Sequence, residues 1–92
     1  MIETLSKNLV IQNKKGLHAR ASARFVQTVE EFDVAMTVTK DGINVGGTSI
    51  MGLMMLAASQ GCTIAVSAKG ADAKQAMDAI EALIEDKFGE GE

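Results

Sequence analysis

Residues 16–22 of the chain read Gly16-Leu17-His18-Ala19-Arg20-Ala21-Ser22. His18 is the single histidine among the 92 residues. Before this segment polar and apolar residues alternate as in a strand, and from His18 onward the apolar residues follow a helical period. Gly16 suits a tight loop at the point where the period changes. The segment therefore predicts a strand that ends in a loop, with one imidazole at the start of a helix.

The hydrophobic pattern on both sides of this segment predicts the element order β-α-β-β-α-β-α. The strand patterns cover residues 5–11, 34–39, 43–45 and 63–68, and the helical patterns cover residues 18–32, 50–59 and 73–88. Asp41-Gly42 is typical of a two-residue hairpin turn, because both turn positions need positive φ. Asp72 and Gln75 have the spacing of a helix capping box. Short strands joined by helices favour an α+β fold in two layers, with helices on one face of an antiparallel sheet.

The composition indicates one small globular domain. Apolar residues make up 47% of the chain and charged residues 23%, which suits a single hydrophobic core. We expect the domain to cover residues 1–88 and the acidic tail, residues 89–92, to fray. The formal net charge is −3, so we do not expect the protein to bind nucleic acid through its overall charge. The positive charges nevertheless form a local cluster around His18: Lys14, Lys15, Arg20 and Arg24.

Cys62 is the single cysteine, and it has no partner for an internal disulfide, which fits a reducing compartment. It lies in an apolar run typical of a small buried side chain, whereas a catalytic thiol would need His18 beside it. No charged and apolar leader opens the chain, and no apolar run approaches about 18 residues. We therefore expect a soluble, cytoplasmic protein without membrane insertion.

His18 is the candidate for chemistry. At a helix start, free N–H groups and the positive end of the helix dipole can hold a phosphate, and Arg20 and Arg24 can add charge-assisted hydrogen bonds. A neutral imidazole nitrogen can attack phosphorus and later release the phosphoryl group. The residues alone leave open that His18 is an ordinary surface residue or a helix cap. One histidine and one cysteine fall far short of a metal-ligand set, and we expect no metal and no cofactor.

A second informative segment, residues 49–58, reads Ser49-Ile50-Met51-Gly52-Leu53-Met54-Met55-Leu56-Ala57-Ala58. A helix of this sequence is apolar almost all round, with one stripe that begins at Ile50 and Leu53 and another that begins at Met51 and Met54. A short helix over a sheet buries one stripe, so the other would form an exposed apolar patch that binds a partner. The alternative is a helix that is buried on two sides.

Together the two segments resemble the HPr family, the phosphocarrier proteins of the bacterial phosphoenolpyruvate-dependent phosphotransferase system. Residues 16–21, with Phe25-Val26 behind them, resemble the family's active-site signature. Residues 49–54 resemble its regulatory-serine segment at the expected distance. The resemblance covers essentially the whole chain. It implies an open-faced β-sandwich, with a four-stranded antiparallel sheet in the order 1-4-2-3 and three helices on one face.

The resemblance also implies roles for single residues. His18 matches the histidine that is phosphorylated on Nδ1, and Arg20 matches the arginine beside the phosphoryl group. Ser49 matches the serine that a dedicated kinase phosphorylates in some bacteria. Ala21 departs from the family's proline, which leaves the helix start less firmly fixed. We expect partners to dock on Ile50, Met51, Met54, Met55 and Arg24.

The implied function is that of a phosphocarrier rather than a stand-alone enzyme. It would relay a phosphoryl group from phosphoenolpyruvate-charged Enzyme I, through phosphohistidine, to IIA-type acceptors, in sugar uptake or in a nitrogen-related regulatory branch. The alternative is a regulatory binding module that an HPr serine kinase switches at Ser49. A phosphate there adds about two negative charges beside an apolar surface and weakens docking.

Overall fold

Four antiparallel strands form one sheet in the order β1-β4-β2-β3. The computed structural model describes residues 4–90. The strands are β1 (Thr4–Val10), β2 (Ala35–Lys40), β3 (Ile43–Gly46) and β4 (Thr63–Lys69). The helices are α1 (Ala19–Val29), α2 (Ile50–Met55) and α3 (Ala73–Glu85), followed by a short 3-10 turn at Lys87–Gly89. The predicted fold class, strand order and three helices are confirmed.

One face of the sheet is buried and the other is open. On β4 the side chains of Ile64, Val66 and Ala68 are buried, whereas the alternate residues Thr63, Ala65 and Lys69 are exposed and Ser67 is half-buried. This alternation is what a two-residue strand period produces when helices cover a single face. Val66 lies opposite Val38 of β2, and Ile64 lies opposite Leu9 of β1. The neighbouring strands therefore bury their apolar residues on the same side.

The helices cover that face with apolar stripes spaced three and four residues apart. On α1 the fully buried members include Ala21 and Phe25, and on α3 they include Ala76 and Ile80. Phe88, in the 3-10 turn after α3, is also fully buried. Fully buried side chains as large as those of Phe25, Ile80 and Phe88 each contribute on the order of 2 kcal/mol through burial. The C-terminal turn thus belongs to the core.

Three predicted helix ends are wrong. The predicted helix over residues 50–59 stops at Met55, because Ala57 adopts a left-handed conformation with φ of 52° that ends the helix. The predicted helix over residues 18–32 ends at Val29. The predicted helix over residues 73–88 ends at Glu85, because Lys87 and Phe88 adopt positive φ and form a separate 3-10 turn. The hairpin turn is confirmed, since Asp41 and Gly42 both have positive φ.

The predicted capping box at the start of α3 is also wrong. The side chain of Asp72 makes no capping hydrogen bond with α3. Its Oδ2 instead accepts a hydrogen bond from the backbone N–H of Asp33 at 2.8 Å. The N–H of Asp72 donates in return to the carbonyl oxygen of Asp33 at 3.0 Å. Asp72 therefore joins the residues before β2 to the start of α3.

The predicted boundary between a domain of residues 1–88 and a fraying tail of residues 89–92 stays a prediction. Gly89 closes the 3-10 turn, and the side chain of Glu90 contacts the loop after β1. Residues 91 and 92 lie outside the described part of the chain. Within residues 4–90, no helix is long and apolar enough to cross a membrane.

Candidate functional site

The loop between β1 and α1 is pinned to the residues that follow α2. The N–H of Leu17 donates to the carbonyl oxygen of Ala58 at 2.9 Å. Gly16 has φ of 64°, and a Cβ atom on it would lie 2.2 Å from the same oxygen. Glycine is therefore required both by the backbone conformation and by the close approach. This contact brings together the two segments that the sequence singled out.

His18 is the N-cap of α1. Its backbone is extended, and its Nδ1 accepts a hydrogen bond from the N–H of Arg20 at 3.2 Å. The carbonyl oxygen of His18 accepts the N–H of Ser22 at 2.9 Å, and the Ser22 hydroxyl donates to the Leu17 carbonyl oxygen at 3.1 Å. The first turn of α1 thus sets the orientation of the ring. Because Nδ1 accepts a hydrogen bond, it carries a lone pair and the ring proton lies on Nε2.

An open depression of about 460 Å³ lies over the imidazole. It is lined by Lys15, His18, Ala19, Arg20, Gly89 and Glu90. Lys15 and Arg20 are exposed, and Arg20 forms no salt bridge with any residue between 4 and 90. Their positive charges are therefore available to an anion in the depression.

Glu90 is a site residue that the sequence prediction missed. Its Oε2 accepts a hydrogen bond from Nε2 of His18, on the side of the ring away from Arg20. Its Oε1 accepts from Nδ2 of Asn13 at 3.0 Å. Partial burial alone would raise the pKa of Glu90, but the hydrogen bonds from His18 and Asn13 outweigh it and lower that pKa. Glu90 is therefore a carboxylate at neutral pH.

Asn13 holds Glu90 against the loop. It is fully buried, and its Nδ2 donates both to Glu90 and to the carbonyl oxygen of Gly16, the latter at 2.8 Å. Both partners are acceptors, so only the amide nitrogen can face them. Its Oδ1 is buried with no hydrogen-bond partner in the described part of the protein. No local sequence signal marked Asn13 or Glu90, because their contact joins residues 77 positions apart.

Arg24 lies one helical turn after Arg20 and is exposed. Its guanidinium lies beside Gly89, where an added Cβ atom would come within 3.3 Å of Nη1. Arg24 does not line the depression. Cys62 is half-buried and also stands outside the lining, with its Sγ 3.4 Å from Oγ of Ser59.

The start of α2 carries the predicted serine and an exposed apolar patch. Ser49 is the N-cap, and its Oγ accepts a hydrogen bond from the N–H of Gly52 at 3.0 Å. Leu53 and Leu56 are buried in the core. The methionine patch, as we call the exposed apolar residues of α2, consists of Ile50, Met51, Met54 and Met55. Met51 and Met55 are 71% and 70% exposed. The helix is thus buried on one side only, and Ile50 belongs to the exposed side rather than to the stripe of Leu53.

The fold and the site define a small α+β domain with one histidine at a helix N-terminus, beside a depression lined by cations. Comparison with known proteins identifies its family. The family model of the HPr component of the phosphotransferase system, described as its phosphorylation site, matches residues 5–86. The chain belongs to the HPr family.

Individual relatives agree with this assignment. The chain is 51% identical over 88 residues to phosphocarrier protein HPr of Neisseria meningitidis serogroup A, covering 96% of this chain and 99% of the relative. It is 41% identical over 86 residues to phosphocarrier protein NPr of Shewanella violacea, covering 94% of each. The crystal structure of HPr-C-His from Thermoanaerobacter tengcongensis superimposes with a TM-score of 0.89 at 46% identity, covering 94% of this chain and 97% of that one.

Proposed function

We propose that this protein accepts a phosphoryl group on His18 from phosphoenolpyruvate-charged Enzyme I and passes it to IIA-type acceptors. One observation carries the proposal: Nδ1 of His18 holds a lone pair at the N-terminus of α1, in a depression lined by Lys15 and Arg20. Membership of the HPr family supports the same conclusion.

The chemistry is a nucleophilic relay at Nδ1. The lone pair gives up its hydrogen bond from the N–H of Arg20 and attacks phosphorus. An N–P bond forms, and the bond between phosphorus and the donor breaks with its electron pair left on the donor. The ring proton stays on Nε2. In the second transfer a nucleophile of the acceptor attacks the same phosphorus, and Nδ1 takes back the electron pair of the N–P bond.

The first turn of α1 and the nearby cations would hold the phosphoryl oxygens. Free N–H groups at a helix N-terminus point outward and the helix dipole is positive there, so a dianionic group is favoured. Arg20 can donate a forked pair of hydrogen bonds, and Lys15 adds a positive charge. Arg24 would serve the docking of a partner, since it stands outside the depression.

The methionine patch would be the docking surface for Enzyme I and the IIA-type acceptors. Exposed methionine suits partners of different shape, because its side chain is flexible and polarisable. The hydrogen bond from Leu17 to Ala58 places the histidine loop beside the end of α2, so a partner on the patch would reach His18. Such partners act in the cytoplasm, and we place this protein there.

The test is phosphorylation by purified Enzyme I and phosphoenolpyruvate. We expect one acid-labile, base-stable phosphate on the wild-type protein and none on His18→Ala. Cys62→Ser is the control for a competing thiol and should label like the wild type. An unlabelled wild type, or equal labelling of His18→Ala, would contradict the proposal.

A second candidate function is regulation at Ser49, and the cap geometry favours it. The Ser49 hydroxyl lies at the N-terminus of α2, directly before the exposed Ile50 and Met51. A phosphate added there by an HPr serine kinase would place about two negative charges beside the methionine patch and weaken apolar docking. We expect Ser49→Asp to slow transfer from Enzyme I, while Thr48→Asp, one residue earlier, should slow it less. Equal rates for Ser49→Asp and the wild type would rule this switch out.

A further inference from the structure

The imidazole of His18 is held from both of its nitrogens. On one side Nδ1 accepts the N–H of Arg20, and on the other Nε2 donates to the carboxylate of Glu90. A histidine ring with a donor at one nitrogen and a carboxylate at the other has one favoured tautomer. The nitrogen that keeps its lone pair is Nδ1, the nucleophile of the proposed relay.

The carboxylate is itself held in place by buried groups. Glu90 has only 10% of its side chain exposed, and its second oxygen accepts from the fully buried Asn13. Two residues earlier, Phe88 is fully buried in the core. The position of Glu90 is therefore set by an anchor on each side, the amide of Asn13 and the ring of Phe88.

We propose that Glu90 is a positioning residue for phosphoryl transfer, which holds His18 with its proton on Nε2 and stabilises the phosphorylated ring. The proposal rests on the proposed function for its biological role, but its first test needs no Enzyme I. Glu90 contacts the nitrogen opposite to the one that bonds phosphorus, so carboxylate and phosphoryl group do not compete for one atom.

The stabilisation follows from the charges during the transfer. Attack by Nδ1 turns a neutral ring into a cationic one, because the proton stays on Nε2 while the N–P bond forms. A carboxylate hydrogen-bonded to that N–H favours the cationic form. The other charged groups that line the depression, Lys15 and Arg20, are positive. Glu90 is therefore the one lining group of the described chain whose charge favours the cationic ring.

The first experiment reads the tautomer in the unphosphorylated protein by ¹⁵N NMR of the imidazole at mildly alkaline pH. We expect the wild type to show a protonated Nε2 and an unprotonated Nδ1. Glu90→Ala should move both nitrogen shifts toward each other, since the proton loses its acceptor. Glu90→Gln keeps an acceptor oxygen and should restore the wild-type shifts. Wild-type shifts in Glu90→Ala would overturn the positioning role.

The second experiment measures phosphorylation by phosphoramidate, a small donor that needs no docking partner. We expect the rate for Glu90→Gln to fall about 3-fold, because the negative charge is lost. The rate for Glu90→Ala should fall about 10-fold, because the acceptor that keeps the ring proton on Nε2 is lost as well. Glu85→Gln, an exposed acid at the end of α3 that does not line the depression, is the matched control and should react like the wild type. A wild-type rate for Glu90→Gln would overturn the charge argument.

The two donors separate this proposal from the relay itself. If Enzyme I does not phosphorylate the wild type but phosphoramidate does, the relay fails while the Glu90 variants still decide the positioning role. If Enzyme I phosphorylates the wild type and both Glu90 variants at equal rates, with unchanged ring shifts, the relay stands and the role of Glu90 is refuted.

Discussion

At the scale of single residues, the site depends on one glycine. Gly16 has no room for a Cβ atom, because the carbonyl oxygen of Ala58 would lie 2.2 Å from it. The same carbonyl oxygen accepts the N–H of Leu17, and this hydrogen bond holds the histidine loop to the residues that follow α2. A change at Gly16 therefore acts on the relation between His18 and the methionine patch as well as on the local backbone.

We expect Gly16→Ala to destabilise the protein by about 3 kcal/mol, the sum of positive φ and a backbone clash. Gly42→Ala is the matched control: its φ is 79°, but nothing lies within 4 Å of an added Cβ atom. It should cost about 1 kcal/mol from φ alone. Urea unfolding of both variants measures the difference, and equal losses would show that the clash with Ala58 relaxes freely.

At the scale of elements, α2 is too short to be stable by itself. It has 6 residues, less than the length at which isolated helices form in water. The buried Leu53 and Leu56 attach it to the core, and the Ser49 hydroxyl satisfies one N–H at its start. The orientation of the methionine patch therefore depends on two leucines and one cap.

Removal of this cap should cost about 1 kcal/mol, so we expect Ser49→Ala to lower the free energy of unfolding by that amount. Thr48→Ala removes an exposed hydroxyl one residue earlier and should change it by less than about 0.5 kcal/mol. Thermal unfolding compares the two variants. Amide hydrogen exchange at Gly52 should accelerate in Ser49→Ala alone, and unchanged exchange there would mean that the cap contributes nothing.

At the scale of the whole molecule, the C-terminal turn closes the site. Glu90 meets His18 across 72 positions of sequence, and the buried Phe88 holds the turn in the core. Lys87, Phe88 and Gly89 all have positive φ, a conformation that L residues rarely adopt. The packing of Phe88 and the hydrogen bonds of Glu90 offset that strain.

The lowered pKa of Glu90 makes this closure sensitive to acid. Its carboxylate contributes stability above its unfolded-state pKa, and that contribution is lost as the pH falls through the lower folded-state pKa. We expect Glu90→Gln to be less stable than the wild type by about 1 kcal/mol at neutral pH. Denaturation at a series of pH values should show the free energies of unfolding of the two proteins converging in acid, at pH values below the pKa of an ordinary glutamate. A constant difference at all pH values would contradict this prediction.

The elements were predictable from the sequence because the sheet has one open face and the helices each bury one stripe. Every second residue is buried from Ile64 to Ala68 in β4, and Met36 and Val38 follow the same alternation in β2, which is the pattern a single covered face imposes. The strand order entered only through the family resemblance, since periodicity carries no information on which strands pair. The end of α2 was missed because Ala57 takes a positive φ that alanine seldom adopts.

The candidate site was predictable only in part. His18, Arg20 and Ser49 lie at helix starts that the local sequence marks. Glu90 lies in a tail of alternating glycine and glutamate that has no periodicity, and its contact with Asn13 depends on the packing of Phe88. Contacts of this kind follow from the assembled fold and not from any local pattern.

Because Glu90 is hydrogen-bonded to His18, the end of the chain at which a tag is fused matters for anyone who produces this protein. A purification tag joined after Glu92 would begin three residues after Glu90, whose carboxylate accepts a hydrogen bond from His18 and lines the depression. β1 lies at an edge of the sheet, and its first described residue, Thr4, pairs with Lys69. The other end of β1, Val10, pairs with Thr63 and leads into the loop before α1, so Thr4 lies at the end of the strand away from that loop. Under the proposed relay, we expect a tag after Glu92 to change the rate at which His18 is phosphorylated, and a tag before β1 to leave that rate unchanged.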